Sequence, residues 1–231
     1  MPSSSWVAST QRYKDAGSVD SGAIGATEDA GSRRRPRPSD PAAFASGAFT
    51  YCCATTAEER AARKLGVAAV RVGVRVANGV PEGRLVSFGL AGALSDELHV
   101  GDVLDATRVV DESGATLWEG PGLGFGRNAT VLGSDRLVHD AGERARLREA
   151  TGADAVDMES GVLARSGRLA GVLRVVSDDP RSLIEGVDTT VHPDGRTNVV
   201  GLVKWVATRR GDALKSMRDA LTALRALERV A

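Results

Sequence analysis

Ala155-Val156-Asp157-Met158-Glu159-Ser160 and, further along, Leu173-Arg174-Val175-Val176-Ser177-Asp178-Asp179-Pro180 are the two stretches that decide how this chain folds. Each is a short apolar, β-branched run that breaks off in carboxylates. Runs of this length bounded by polar residues read as buried strands rather than helices. Between them, residues from Glu159 towards Ser166 suit a short helix stopped by Gly167. The unit is strand, helix, strand, and acids at the ends of its strands stand where α/β sheets gather their ligand sites.

Working outward, the same texture continues. Candidate strands are Phe49 to Ala54, Val67 to Val72, Arg84 to Phe88, Val103 to Val110, Thr130 to Leu132, Ala155 to Asp157 and Ala170 to Val176. A helix from Ala141 is marked by Asp140 and Glu143, spaced as a capping box, and by Gly152 as its stop. Leu214, Met217, Leu221, Leu224 and Leu227 recur at three- and four-residue steps, an apolar helical stripe expected in the core or at a subunit interface. The fold expected is α/β, a three-layer sandwich with a mixed central sheet, over residues 48–231. Residues 1–47 are rich in Ser, Gly, Pro, Asp and Arg without periodicity and are expected to form a disordered tail. The basic run Arg33 to Pro38 reads as part of that solvated tail, or of an upstream start taken in error, ahead of a contact for an anionic partner.

Composition narrows the function classes. The 231 residues carry 30 basic and 30 acidic side chains, which gives no global attraction for nucleic acid, and none is expected as a partner. No apolar run approaches the roughly 18 residues that span a bilayer, and no secretory signal opens the chain, so a cytoplasmic protein is expected. Cys52 and Cys53 are adjacent and point apart on a strand, which suits buried free thiols. His99, His139 and His192 are too scattered for a metal motif, so neither metal nor cofactor is expected.

Three segments carry candidate chemistry. Ser87-Phe88-Gly89-Leu90-Ala91-Gly92, followed by Gly101-Asp102, offers a strand and then a turn of small residues that a ligand can approach closely, although a plain tight turn explains it equally well. Glu159 stands at a helix start, where it either complements the helix dipole or accepts hydrogen bonds from paired hydroxyls. Asp178 either caps the turn that follows its strand or faces a ligand.

Taken together and in this order, the Gly89-to-Gly92 segment, Gly101-Asp102, Met158-Glu159 and Ser177-Asp178 resemble the purine nucleoside phosphorylase and methylthioadenosine/S-adenosylhomocysteine nucleosidase family. The resemblance runs from about residue 50 to the end. Through Ser87 to Leu94 and Asp194 to Arg196 it leans towards the short phosphorylase-like proteins associated with hopanoid lipid biosynthesis. It implies cleavage of a purine nucleoside's N-glycosidic bond by water or phosphate. By the resemblance, Asp178 protonates or hydrogen-bonds N7 of the leaving base, with Ser177 beside it. Glu159 grips the ribose hydroxyls, and Met158 packs on the sugar. Glu58, or its neighbour Glu59, positions the attacking water. Ala91 and Gly92 line the base and sugar pocket, and Leu137 and Val138 lie beside the purine. The partner implied is a small-molecule nucleoside, with phosphate as an optional co-substrate and a homo-oligomer as the family's habit.

Two departures from the family pattern stand out. Tyr51 to Thr56 contains no glycine where phosphorylases place a phosphate-binding turn, leaving Arg75 as the nearby cation to nominate, against its reading as a solvated arginine. The stretch Val76 to Arg84 is too short for the helix usual there. That shortening suits a trimmed sheet, a pocket completed by another subunit, or a chain that keeps the fold as a noncatalytic nucleoside-binding or scaffold protein.

Overall fold

The computed structural model describes residues 49–182, 186–208 and 210–230, so the expected tail of residues 1–47 lies outside it. In chain order the elements are β1 (Thr50–Cys53), α1 (Thr56–Lys64), β2 (Ala69–Arg71), β3 (Leu85–Ala93), β4 (Val103–Val110), β5 (Thr116–Glu119) and β6 (Arg127–Gly133). There follow α2 (Ala141–Thr151), β7 (Ala155–Asp157), α3 (Ser160–Arg165), β8 (Leu169–Asp178), α4 (Val199–Thr208) and α5 (Arg210–Leu227).

The chain is α/β with a mixed sheet, but that sheet is not the open middle layer of a three-layer sandwich. It closes on itself. β3 pairs β8 in parallel, β8 pairs β4 antiparallel, β4 pairs β6 and β6 pairs β7 in parallel, and β7 returns antiparallel to β3. β1 and β2 extend the ring from the first half of β3, and β5 extends it from β4. Closure depends on the length of β3. Its first residues pair β1, Thr50 to Cys52 lying beside Leu85 to Ser87, whereas Gly92 and Ala93 pair Val156 and Ala155 of β7. The register shifts between Ala91 and Gly92, and such a bulge bends a strand enough to meet a second neighbour. The segment Gly89 to Gly92, expected as a turn, is therefore the second half of a strand.

Side-chain alternation sorts the core onto two faces. Tyr51, Cys53, Val86, Phe88, Leu173 and Val175 pack with Ala61, Ala62, Ala223 and Leu227 of α1 and α5. Cys52, Leu85, Val172, Val131 and Ala106 pack with Leu163 and Ala164 of α3. The two cysteines thus lie in different clusters, both buried and both free.

α2 begins and ends where its signals stand: the Asp140 side chain accepts from Glu143 N–H at 2.8 Å, and Gly152 takes a left-handed φ of 67°. Glu143 turns its carboxylate to Arg136, 2.6 Å away, instead of back to the cap. The stripe on α5 is split. Leu227 is buried and Leu224 packs on the core, but Leu214, Met217 and Leu221 are exposed, because the inward face of the earlier turns is carried by Ser216, Asp219, Ala220 and Ala223. Among the described residues, no helix is long and apolar enough to cross a membrane.

One buried carboxylate fixes the connection between β5 and β6. Asp105 of β4 is 1% exposed and accepts the N–H groups of Leu123 (2.7 Å), Gly124 (2.5 Å) and Phe125 (3.1 Å). Asp105→Ala leaves three amides without that acceptor, and about 2–4 kcal/mol of stability should be lost. Urea unfolding of the variant measures it, and an unchanged midpoint would refute this role.

Candidate functional site

A cavity of about 360 Å³ opens where the ends of β3, β7 and β8 converge with the starts of α1 and α3 and the inward face of α5. That is an adequate volume for a small organic ligand. The nine residues that the resemblance assigns to the site line it, Glu58, Ala91, Gly92, Leu137, Val138, Met158, Glu159, Ser177 and Asp178, whereas Arg75, Gly101 and Asp102 do not.

Glu58 is placed by a complete capping box that opens α1. The Thr55 side chain accepts from Glu58 N–H at 3.3 Å, and Glu58 Oε2 accepts from Thr55 N–H at 2.8 Å. Its other oxygen, Oε1, accepts from Leu90 N–H of β3 at 2.8 Å. This is why β3 carries a glycine just before Leu90. A Cβ at Gly89 would overlap Glu58 Oε1 and lie 2.7 Å from Arg174 Nη1. Of the two neighbouring glutamates, Glu58 is 4% exposed in the cavity wall, whereas Glu59 pairs with Arg63 at 2.7 Å on the surface.

Glu159 precedes α3 but does not cap it. That task falls to Asp157, whose Oδ1 accepts from Ser160 N–H at 3.0 Å. The Glu159 carboxylate instead accepts from the backbone N–H of Arg75 at 3.1 Å and lies 3.7 Å from Arg174 Nη2. Arg75 and Val76 hold positive φ angles of 54° and 58°, a conformation disfavoured for both residues and worst for a β-branched one. The Arg75 guanidinium reaches the Asp135 carbonyl at 3.3 Å in an exposed contact, so what Arg75 gives the site is its amide.

Arg174, fully buried in β8, holds this end of the site together. Its Nε is 2.6 Å from Asp157 Oδ2, and Nη2 donates to Ser87 Oγ at 2.6 Å and to Ser160 Oγ at 3.2 Å. The Ser160 hydroxyl donates to Asp157 Oδ2. With three acids near one guanidinium, burial pushes the Glu159 carboxyl up to about 8; Arg174 opposes this, and Asp157 and Glu58 add to it.

Asp178 ends β8 and does not cap the following turn either. Asp179 does so, its Oδ1 accepting from Arg181 N–H at 2.9 Å. Asp178 Oδ1 lies 2.7 Å from the Ser177 hydroxyl, and Oδ2 lies 2.5 Å from Nη1 of Arg144, a residue of α2 that is 1% exposed. Sequence reasoning missed Arg144, Arg174, Asp157 and Thr55. Arg174 and Asp157 carried a signal, being charges inside apolar strands. Thr55-Thr56-Ala57-Glu58 spells a capping box. Arg144 carried none, since Arg146 and Arg148 share its helix. Among the described residues no group of His, Cys, Asp and Glu is arranged to hold a metal ion.

No family model and no curated protein matches the chain. Solved structures do. A 5'-methylthioadenosine/S-adenosylhomocysteine nucleosidase from Helicobacter pylori, solved with butyl-thio-DADMe-Immucillin-A, is 16% identical over 79% of this chain and 96% of its own, with a TM-score of 0.51. The corresponding nucleosidase from Campylobacter jejuni is 16% identical over 78% of this chain and 98% of its own, with a TM-score of 0.48. Futalosine hydrolase from Helicobacter pylori is 14% identical over 75% and 96%, with a TM-score of 0.44. The shared feature at such identity is architecture: this chain has the fold of the 5'-methylthioadenosine/S-adenosylhomocysteine nucleosidases.

Proposed function

We propose that the chain hydrolyses the N-glycosidic bond of an adenine-type nucleoside and releases the free base. One observation carries the reading. Three carboxylates from three separate elements, Glu58, Glu159 and Asp178, line a single cavity of nucleoside size. Breaking such a bond requires a polar group at the departing base, a grip on a sugar that becomes oxocarbenium-like, and a base for the nucleophile. Asp178 meets the base, with Leu137 and Val138 along its flank. Glu159 accepts the ribose hydroxyls, with Met158 against the sugar. Glu58, held on both oxygens by backbone N–H groups, takes the proton from the attacking water. The Helicobacter pylori protein that shares this fold is a 5'-methylthioadenosine/S-adenosylhomocysteine nucleosidase.

Water is favoured over phosphate as the nucleophile. The lining carries the acidic side chains of Glu58, Asp157, Asp178 and Asp219, and of Glu159, which keeps its proton up to about 8, against the guanidiniums of Arg136 and Arg144. Both guanidiniums are already paired, Arg136 with Glu143 and Glu112 and Arg144 with Asp178. A phosphate dianion entering there meets like charge, and among the described residues both lining guanidiniums are already taken up by carboxylates. The noncatalytic alternative drew on the short stretch Val76 to Arg84, yet Val74 just before it lines the cavity and the Arg75 amide holds the lining Glu159.

Purified full-length protein should release adenine from adenosine, 5'-methylthioadenosine or S-adenosylhomocysteine at a rate that added phosphate does not raise. Asp178→Asn should lower that rate by about two orders of magnitude or more while retaining the thermal transition. Turnover by Asp178→Asn at the parent rate would remove Asp178 from the chemistry, and a strict phosphate requirement would replace hydrolysis by phosphorolysis. The Glu159 carboxyl gives a separate expectation. Its folded value, about 8, lies above the ordinary carboxylate range, so the folded state holds a proton that the unfolded state has lost between those limits. Stability from this group is full below the unfolded value and is lost as pH rises towards 8. Melting temperatures between pH 5 and 8 should fall less steeply for Glu159→Gln than for the parent, and parallel profiles would contradict the assignment.

A further inference from the structure

The stretch Asp194 to Arg196, which the chemistry above leaves unused, sits in a tight reversal of the chain. Val191 and Thr197 bridge antiparallel, the His192 N–H donates to the Arg196 carbonyl at 2.8 Å, and the Gly195 N–H donates to the His192 carbonyl at 2.8 Å. The sequence encodes this turn locally. Pro193 presets its first bend, the Asp194 side chain accepts from Arg196 N–H at 3.0 Å, and Gly195 takes the left-handed φ, 82°, that closes a three-residue hairpin loop. His192, Pro193 and Arg196 are exposed, so what the turn presents to the rest of the chain is backbone.

Three successive carbonyls of the turn are taken by three parts of the site's surroundings. Pro193 accepts from Val74 N–H at 2.9 Å, Asp194 from Asn78 Nδ2 at 3.2 Å, and Gly195 from Thr56 N–H at 3.0 Å. The seating is close on both sides: a Cβ at Gly73 would lie 2.6 Å from the Pro193 oxygen, and a Cβ at Gly195 would overlap the Ala54 carbonyl. Thr56 opens α1, whose third residue is Glu58, and its amide is one that the helix itself leaves without a partner. Val74 precedes Arg75, whose N–H holds Glu159. Val191, at the foot of the turn, lines the cavity together with Ala54, Thr55 and Val74.

We propose that the 192–196 turn is a positioning element that sets Glu58 and Glu159 relative to each other, one through the Thr56 amide and the other through Val74 and Arg75. The inference rests on the hydrolysis reading above. In that reading the water at Glu58 and the hydroxyls at Glu159 belong to one sugar, and attack on C1' is productive only when both carboxylates stand correctly at once. A single rigid turn bonded to both supports meets that requirement. It acts through backbone and reaches the two carboxylates only by way of other residues. Asp178 is fastened separately, by Ser177 and Arg144, so the base end of the cavity does not depend on this turn.

The test measures base release by the full chain from 5'-methylthioadenosine and from its 2'-deoxy analogue, with calorimetric binding of adenine, for the parent, Gly195→Ala and Gly83→Ala. Gly195→Ala forces the turn off the Ala54 carbonyl, and kcat should fall roughly 10- to 100-fold, the scale of a displacement of about 1 Å, while adenine binds as it does to the parent. The parent should favour the nucleoside that keeps its 2'-hydroxyl, and Gly195→Ala should lose that preference. Gly83 also has a positive φ, 86°, but its Cβ position faces open space, so Gly83→Ala introduces similar backbone strain away from the turn and should keep the parent's kcat and preference. Parent-like kcat and preference in Gly195→Ala would overturn the proposal, and so would an equal loss in Gly83→Ala. Should Gly195→Ala not fold, Asn78→Asp sets an acceptor against the Arg71 and Asp194 carbonyls in place of a donor, and it must show the same losses or the proposal falls. No release of base from either nucleoside by the parent overturns the hydrolysis reading itself, an outcome distinct from turnover that ignores the turn.

Discussion

A guanidinium with no exposure to solvent sits in the middle of β8, and the architecture around the site is the set of contacts that Arg174 requires. A buried charge is tolerated only when it is paired and its donors are used. Arg174 is paired with Asp157 of β7 and with Glu159, the residue before α3, and its Nη groups donate to Ser160 of α3 and to Ser87 and the Leu90 carbonyl of β3. Satisfying one side chain therefore fixes how β3, β7 and β8 stand relative to the start of α3. Asp157 serves twice, as counter-ion to Arg174 and as the cap of α3, which frees Glu159 from capping. A helix-terminal glutamate that does not cap its own helix can point into a cavity, and this one does.

Closure of the sheet follows from the same place. β3 is flanked by β1 and β8 over its first half and by β8 and β7 at its end, so its last residues lie between the two strands that carry the site's acids. Gly92 lies opposite both Val156 and Asp178. The carboxylates before α3 and at the end of β8 are thereby drawn to one cavity although their strands are not neighbours in the sheet. The small residues of β3 belong to this arrangement, since Gly89 gives way to Glu58 and Gly92 to the Asp178–Arg144 pair.

How legible all this was in the sequence depended on whether the signal was local. β4 and β7 were readable to the residue, because short apolar runs bounded by polar breaks are a property of the run itself. The limits of α2 were readable from Asp140 and Gly152 for the same reason. Thr116–Glu119 was not, being half exposed and short, and neither was Val199–Thr208, whose valines 199, 200 and 203 face outward. Barrel closure is a statement about pairing between distant strands and leaves no periodic trace. The site divides in the same way: the residues that resemble a motif were found, while the two buried arginines that hold their carboxylates were passed over, one taken as part of an apolar strand and the other as one basic residue among several on a helix.

The short connection between β2 and β3 shows how a lost element can be offset by backbone. In place of a helix, Val74–Val76 makes a single tight turn with Arg75 and Val76 on the left-handed side. Such residues cost of order 1–3 kcal/mol each and persist only where their surroundings determine them. Here those surroundings are visible. Val76 is buried against the cluster beneath α3, and the Val74 N–H is held by the Pro193 carbonyl at 2.9 Å. The reward is directional, because the turn aims the Arg75 N–H at Glu159 Oε1 and leaves the arginine's charge outside among surface contacts. An amide satisfies the carboxylate without adding a full positive charge to the cavity. Among the described residues its two lining guanidiniums stay committed to carboxylates, and the pocket keeps an acidic lining.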